Sequence, residues 1–252
     1  MDEAIKLPQF FLFFIIIYVI SHKIFKNWSP KLKYEACSCF LSLFHGTPSV
    51  ILSISALFSM IINNSTQNPK NPSYFAAKNT NFQNFALDFS TGYFIMDLIH
   101  YLVFKPDDVL FIAHHLATLF VLLTCRFLVN HGAFPILIIL VVAEITSLCQ
   151  NVWSLARLRK NDLNFAANLY DFLVPKFYVF YTVARGVFAP LFVVKMVLVY
   201  TSGVVDAIIP TWVWCSWLLL TVSGIFASLL WILNHWVVFF KEEMGKKQQK
   251  LK

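Results

Sequence analysis

Charge is the scarcest commodity in this 252-residue chain, with Asp, Glu, Lys and Arg together making up 13% of it, roughly half the usual share in a globular domain. Hydrophobic residues make up 58%, and 27 positions are Phe. A water-soluble domain of this size has too little interior to hide so much apolar surface, so a soluble protein is excluded and lipid is the expected solvent. Other shortages exclude more. The five cysteines (Cys37, Cys39, Cys125, Cys149 and Cys215) are odd in number and scattered through apolar sequence. They have neither zinc spacing nor a disulfide framework and read as buried thiols. No phosphate-binding Gly-rich loop and no G-x-S-x-G occurs. A single adjacent His pair falls short of the several His-rich boxes of a di-iron lipid oxidase, so neither a metal nor another cofactor is expected. The formal net charge of +7 comes from residues between and after apolar runs that form no basic face, which argues against nucleic acid as a partner. There are no internal repeats.

The chain does have apolar stretches of about 20 residues, the length that crosses ~30 Å of hydrocarbon as helix. They run from about Pro8 to Phe25, Cys37 to Ile62, Phe85 to Phe104, Val109 to Val129, Phe134 to Leu155, Leu173 to Tyr200 and Trp212 to Phe240. The expected fold is therefore all-α: a polytopic membrane protein of about seven transmembrane helices. His22, Lys23 and Lys26 follow the first stretch where a cleavable signal would carry small residues, so it reads as a true span. The sixth carries Asp171, Lys176, Arg185 and Lys195 with Pro175 and Pro190, and residues 169–200 fit either one kinked span or two short segments. Seven spans with the N-terminus outside the cytosol put 13 of the 20 Lys and Arg on the cytosolic side, as the positive-inside rule requires. That orientation makes the C-terminus cytosolic. It also places the polar loop from Asn63 to Asn84 on the opposite side, with overlapping glycosylation acceptors at Asn63 and Asn64. The tail from Lys241 reads as disordered. The divisions are residues 1–30, a first helix and linker; 31–240, the main helical domain; and 241–252, a basic cytosolic tail.

Ionisable residues within a span are costly and usually face a protein interior or wet cavity. Spans three and four form a hairpin about Lys105-Pro106-Asp107-Asp108, and Asp97 lies a similar distance before that turn as His114 lies after it, each about 10 Å from its helix end. Tyr93, Asp97, His100 and Tyr101 follow three- and four-residue spacing and share a face. His114 and His115 point about 100° apart, so one faces the interior while the other turns to a neighbour, and Thr118 lies a turn beyond. Glu144, Ser147, Asn151 and Ser154 form a polar stripe on span five. His45, Asp171 and His235 fall in the same half of the membrane. This set predicts a polar chamber opening toward the cytosol, with His114, His115, Asp97 and Glu144 as candidate catalytic residues. His45, Tyr93, His100, Tyr101, Thr118, Ser147, Asn151, Asp171 and His235 are candidate substrate contacts. Lys176 and Arg185 are read as pairing with Asp171 or snorkelling, with no chemistry of their own. An imidazole beside a carboxylate acts as a general base or as a nucleophile, which suits acyl transfer from a thioester or ester hydrolysis.

Gly92-Tyr93-Phe94-Ile95-Met96-Asp97-Leu98, followed by Ala113-His114-His115-Leu116, then Ala143-Glu144-Ile145-Thr146-Ser147 with Asn151 and Arg157, and Phe44-His45-Gly46 upstream, resemble the TLC-domain family. This group is named for the translocating-chain-associating protein, the yeast longevity-assurance ceramide synthases and a neuronal ceroid lipofuscinosis protein. The resemblance covers roughly Lys31 to Phe240. The ceramide synthases' adjacent His pair falls on His114 and His115, but their His-Asp on the following helix is absent, since this chain reads Val142-Ala143-Glu144-Ile145-Thr146-Ser147. The resemblance is therefore to TLC domain-containing proteins outside the synthases and argues against ceramide synthesis from acyl-CoA. It implies a helical barrel in an endomembrane, often the endoplasmic reticulum, with a role in lipid metabolism or homeostasis.

The leading expectation is a protein that holds a membrane lipid or acyl chain in its barrel near His114 and His115, either catalysing acyl transfer or hydrolysis there, with acyl-CoA a candidate substrate, or sensing, transporting or regulating lipid without turnover. An ion or proton-coupled transporter using Asp97, Glu144 and Asp171 ranks lower, because the halves show no repeat. Homo-oligomerisation stays open.

Overall fold

The computed structural model describes residues 5–63 and 72–250. The acceptor sequence beginning at Asn63 and Asn64 runs into residues 64–71, so glycosylation there lies outside the described residues.

The chain is all-helical: α1 (Leu7–Ile24), α2 (Pro30–Asn63), α3 (Asn81–Phe104), α4 (Val109–Leu123), α5 (Ala133–Glu144), α6 (Ser147–Arg159), α7 (Asn164–Tyr181), α8 (Ala189–Tyr200) and α9 (Thr211–Lys250). These join into seven rods. After α4 the helix widens into a π-helical stretch, Thr124–Val129. α5 and α6 are one rod broken at Ile145-Thr146. α7 and α8 are joined by a second π-helical stretch, Thr182–Phe188. Residues 169–200 are thus one continuous, interrupted rod. Pro190 sits at the opening of α8, where its missing N–H costs nothing.

Six rods are long and apolar enough to cross a membrane: Leu7–Ile24, Pro30–Ile62, Val109–Val129, Ala133–Arg159, Asn164–Tyr200 and Thr211–Lys241. The seventh, α3, has 24 residues, about 36 Å at 1.5 Å per residue. It carries Gln83, Asn84, Asp88 and Asp97, and all four are buried. Its polar groups face other helices instead of lipid, so α3 is the protein's own core and is less apolar than the rods around it. The chain is a multi-pass integral membrane protein.

Packing closes a ring. α3 packs on α2, α2 on α5 and α6, α6 on α7, α8 on α9, α9 on α4, and α4 back on α3; α1 lies against α2 and α3. Gly92 permits that last contact, since a Cβ there would stand 2.9 Å from the Phe11 backbone nitrogen. A capping box starts α3, with Thr80 accepting from the Gln83 N–H and Gln83 answering at the Thr80 N–H. One rim of the ring is tied by backbone and side-chain bonds. Gly132 N donates to Ala77 O and Asn79 N to Asn130 O, both at 3.0 Å. Asn79 also accepts from Ala133 N and donates to Cys125 O. At the same rim Trp217 of α9 donates to Thr124 at the end of α4, 2.8 Å.

Two expectations are corrected. Cys215 is exposed on α9, although Cys37 and Cys125 are buried as expected. The tail does not break at Lys241: α9 runs on to Lys250, because Lys, Glu and Gln are strong helix formers and extend a helix already nucleated in the membrane.

Candidate functional site

The hairpin of α3 and α4 brings Asp97 and His115 together, with His115 Nε2 3.0 Å from Asp97 Oδ2 and both residues buried. The other nitrogen, Nδ1, lies 2.8 Å from the Phe111 carbonyl one turn earlier. A carbonyl only accepts, so Nδ1 carries a hydrogen, and the short Nε2–Oδ2 contact requires a second proton between ring and carboxylate. Asp97 accepts two further bonds, from Ser38 Oγ of α2 at 3.0 Å and from Tyr93 OH one turn up α3 at 3.2 Å. A buried carboxylate is tolerated when its lone pairs are satisfied in this way. Tyr101 borders the pair, its ring 5.4 Å from that of His115.

His114 follows the expected divergence. It is exposed where its neighbour is buried, and among the described residues its ring makes no hydrogen bond. Phe94 lies edge-on to it at 6.3 Å. Thr118 turns its hydroxyl back onto the His114 carbonyl, 2.9 Å. It therefore buttresses α4 without presenting a donor to the interior.

A second arm of the cluster is built from α2 and the α5–α6 rod. His45 is fully buried, its Nδ1 3.7 Å from Glu144 Oε2 and its Nε2 3.2 Å from Ser90 Oγ. The 3.7 Å separation is too long for a hydrogen bond but close enough for charge to be felt. Ser147 Oγ donates to Glu144 Oε2 at 2.6 Å, and Asn151 Nδ2 donates to the Ser147 carbonyl and to Ser42 Oγ of α2, both 2.8 Å. The close approach depends on Gly46, where a Cβ would meet Ser147 Cβ at 2.7 Å and Glu144 Oε2 at 3.3 Å. Thus Glu144 partners His45, and His114 remains unpartnered.

Arg185 belongs to this interior, contrary to the reading that pairs it with Asp171 or sends it to the interface. From the π-helical stretch it donates through Nη2 to the Ala143 carbonyl, at the last turn of α5. There a cation is favoured by the unsatisfied carbonyls of a helix C-terminus. Glu144 is the residue that follows the Ala143 carbonyl in the chain.

Three predicted contacts lie elsewhere. His100 is buried against α1, its Nδ1 2.7 Å from Tyr18 OH. His235 bonds to the Trp231 carbonyl and packs among Trp231, Tyr178, Trp153 and Phe177. Asp171 is exposed on α7. Sequence reasoning overlooked Ser38, Ser42 and Ser90. The signal was present for the first two, since Ser38, Ser42, His45 and Ser49 recur at helical spacing on one face of α2.

Rods closed into a ring about a buried polar cluster define the chain as a polytopic membrane protein of the helical-barrel class. The TLC-domain family model matches residues 35–237, and the chain belongs to that family. It is 50% identical over 244 residues to "TLC domain-containing protein At5g14285" of Arabidopsis thaliana, an alignment spanning 96% of this chain and 92% of the relative. No solved structure matches the chain.

Proposed function

We propose that the barrel holds a membrane lipid by an acyl group, with the acyl carbonyl beside His114, and that this centre transfers or hydrolyses the acyl group. The observation that carries the reading is the contrast within one dipeptide. His115 is locked by Asp97 and Phe111, whereas among the described residues the ring of His114 next to it has no hydrogen-bond partner. An imidazole whose nitrogens are not tied up in hydrogen bonds is available as a general base.

In hydrolysis His114 takes a proton from water as its oxygen attacks the ester carbon. The C–O bond to the alcohol then breaks, and the same proton passes to the leaving alkoxide. In acyl transfer from a thioester such as acyl-CoA, a lipid hydroxyl replaces water and a thiolate leaves. The His115–Asp97 pair is a positioning element that fixes α4 against α3. Glu144 and His45 supply polarity on the opposite wall.

A non-enzymatic reading is favoured by one observation: every ring nitrogen of His115 and both oxygens of Asp97 are satisfied within the protein. On that reading the cluster is a rigid polar floor under a bound lipid, and the protein senses, transports or regulates lipid without turnover. Either role suits an endomembrane such as the endoplasmic reticulum, with the C-terminus in the cytosol.

The test is mass spectrometry of gently purified protein for retained lipid, followed by assay of acyl-CoA and phospholipid turnover. The enzymatic reading expects turnover that His114→Ala abolishes while the variant keeps its elution profile and bound lipid. Retained lipid with no turnover by the wild type would leave the binding reading standing alone. Full activity in both His114→Ala and Asp97→Asn would remove the centre altogether.

A further inference from the structure

Arg185 is a feature of the barrel interior that an acyl group alone does not explain. A guanidinium inside a membrane span is costly and is normally neutralised by a carboxylate. Among the described residues no carboxylate oxygen lies within 4 Å of Arg185. Of its five N–H donors, Nη2 is used by the Ala143 carbonyl, and Nε is buried without a hydrogen-bond partner. Its plane lies 5.0 Å from the Tyr181 ring centroid, which keeps the side chain off the lipid-facing side of α7.

Depth and direction agree. Counted from the tied rim, Arg185 is 15 residues from the end of α8, His114 is 15 from the end of its rod and Asp97 is 16 from the start of α3, so at 1.5 Å per residue they share a level about 23 Å from that rim. The π-helical stretch that carries Arg185 is itself informative. Such widenings cost regular hydrogen bonding, turn side chains out of the α-helical register, and occur frequently at functional sites. Here the widening carries a cation that reaches the last turn of α5.

We propose that Arg185 is the receptor for an anionic group on the lipid that the barrel holds, a carboxylate or a phosphate bound through its unused N–H donors. A planar fork of donors matches the paired oxygens of either group. The ligand supplies a counter-charge in direct contact, which no described carboxylate does, and its binding brings a negatively charged head to the level of His114. This proposal rests on the reading that the barrel takes a lipid, but not on whether that lipid is turned over.

The experiment compares oleate with methyl oleate, which has the same chain without the charge, and adds dioleoyl phosphatidate and dioleoylglycerol as a second charged and neutral pair. Binding to the purified full chain is measured by displacement of a fluorescent fatty acid. Wild type is expected to favour the charged member of at least one pair by about tenfold or more, as a charge-assisted hydrogen bond implies. The first pair would identify a carboxylate ligand, the second a headgroup phosphate. Arg185→Gln should abolish that preference without weakening the neutral lipid, and Arg185→Lys should retain part of it. Equal binding of charged and neutral lipids by wild type, or a preference that survives in Arg185→Gln, overturns the assignment while the barrel reading stands. If none of the four lipids binds, the barrel reading itself fails. Should Arg185→Gln not fold, a photoreactive group next to the carboxylate of a fatty acid gives the answer in wild type: crosslinks at α4, α5 and the π-helical stretch are expected, and crosslinks confined to other helices overturn the proposal.

Discussion

The imidazole of His45 lies flat on the ring of Tyr93, centroids 3.9 Å apart and planes 5° from parallel. This stack joins the two arms of the cluster. Tyr93 donates to Asp97, and His45 faces Glu144, so α2, α3 and α5 meet through one pair of rings. Tyr93→Phe keeps the stack and loses only the hydroxyl, and should cost about 1 kcal/mol. Tyr93→Ala removes both and should cost roughly 3–5 kcal/mol. Unfolding in mixed micelles monitored by circular dichroism checks the difference, and equal losses would mean that the stack contributes nothing.

Asp97 and His115 should behave as a unit. Removing one partner of a buried pair strands the other, at a cost of about 3–5 kcal/mol. Asp97→Asn and His115→Gln are therefore each expected to destabilise strongly, and the double variant should lose less than the sum of the two by at least about 1 kcal/mol. Strict additivity in that cycle would contradict the contact.

His114→Ala should differ sharply from His115→Ala. The first removes an exposed ring without hydrogen bonds, so its stability should stay within about 0.5 kcal/mol of wild type. The second removes the bond to Asp97 that holds α4 to α3 at this level, along with a bond within α4 itself. Thermal melts of the two variants side by side read the contrast; a His114 variant as unstable as the His115 variant would show that its ring is structural.

Gly46→Ala forces a methyl against Ser147 Cβ and Glu144 Oε2. Overpacking of this kind costs about 1–3 kcal/mol, and here it also pushes His45 away from Glu144. Gly224, with no atom within 4 Å of the position a Cβ would take, is the matched control, and its Ala variant is expected to be neutral or slightly stabilising. A Gly46 variant as stable as the Gly224 one would disprove the close approach.

The proposed orientation is tested by acceptor mapping. A glycosylation sequence appended after Lys252 should remain unmodified in microsomes, while Asn64, or an acceptor inserted beside it with a longer spacer, should be glycosylated. The reverse pattern would invert the barrel.

Much of this arrangement was legible in the sequence because helices have a fixed rise and period. Similar distances from one turn predict that α3 and α4 meet near Asp97, and a 100° step predicts that adjacent histidines part company. Periodicity is silent about which rods are neighbours, so it could not reveal that Glu144 faces His45; only Gly46 hinted that α2 approaches something closely. Arg185 was misread for a different reason. Register counted at 3.6 residues per turn fails across a π-helical widening, and a lone arginine in an apolar run resembles one that snorkels. His235 and Asp171 share the cluster's half of the membrane but lie on other faces of their rods, and depth alone does not fix a face.

The bond from Trp217 to Thr124 fastens α9 to α4 at one rim. At the other rim Glu35 receives Arg157 and faces Lys105, binding α2, α6 and α3 to one another and leaving α4 and α9 out. Among the described residues, the side-chain bond across the seam between α4 and α9 thus lies at the rim far from His114. Along the first turns of α4, where His114 is carried, the rod is held instead to α3, by the short turn between them and by His115.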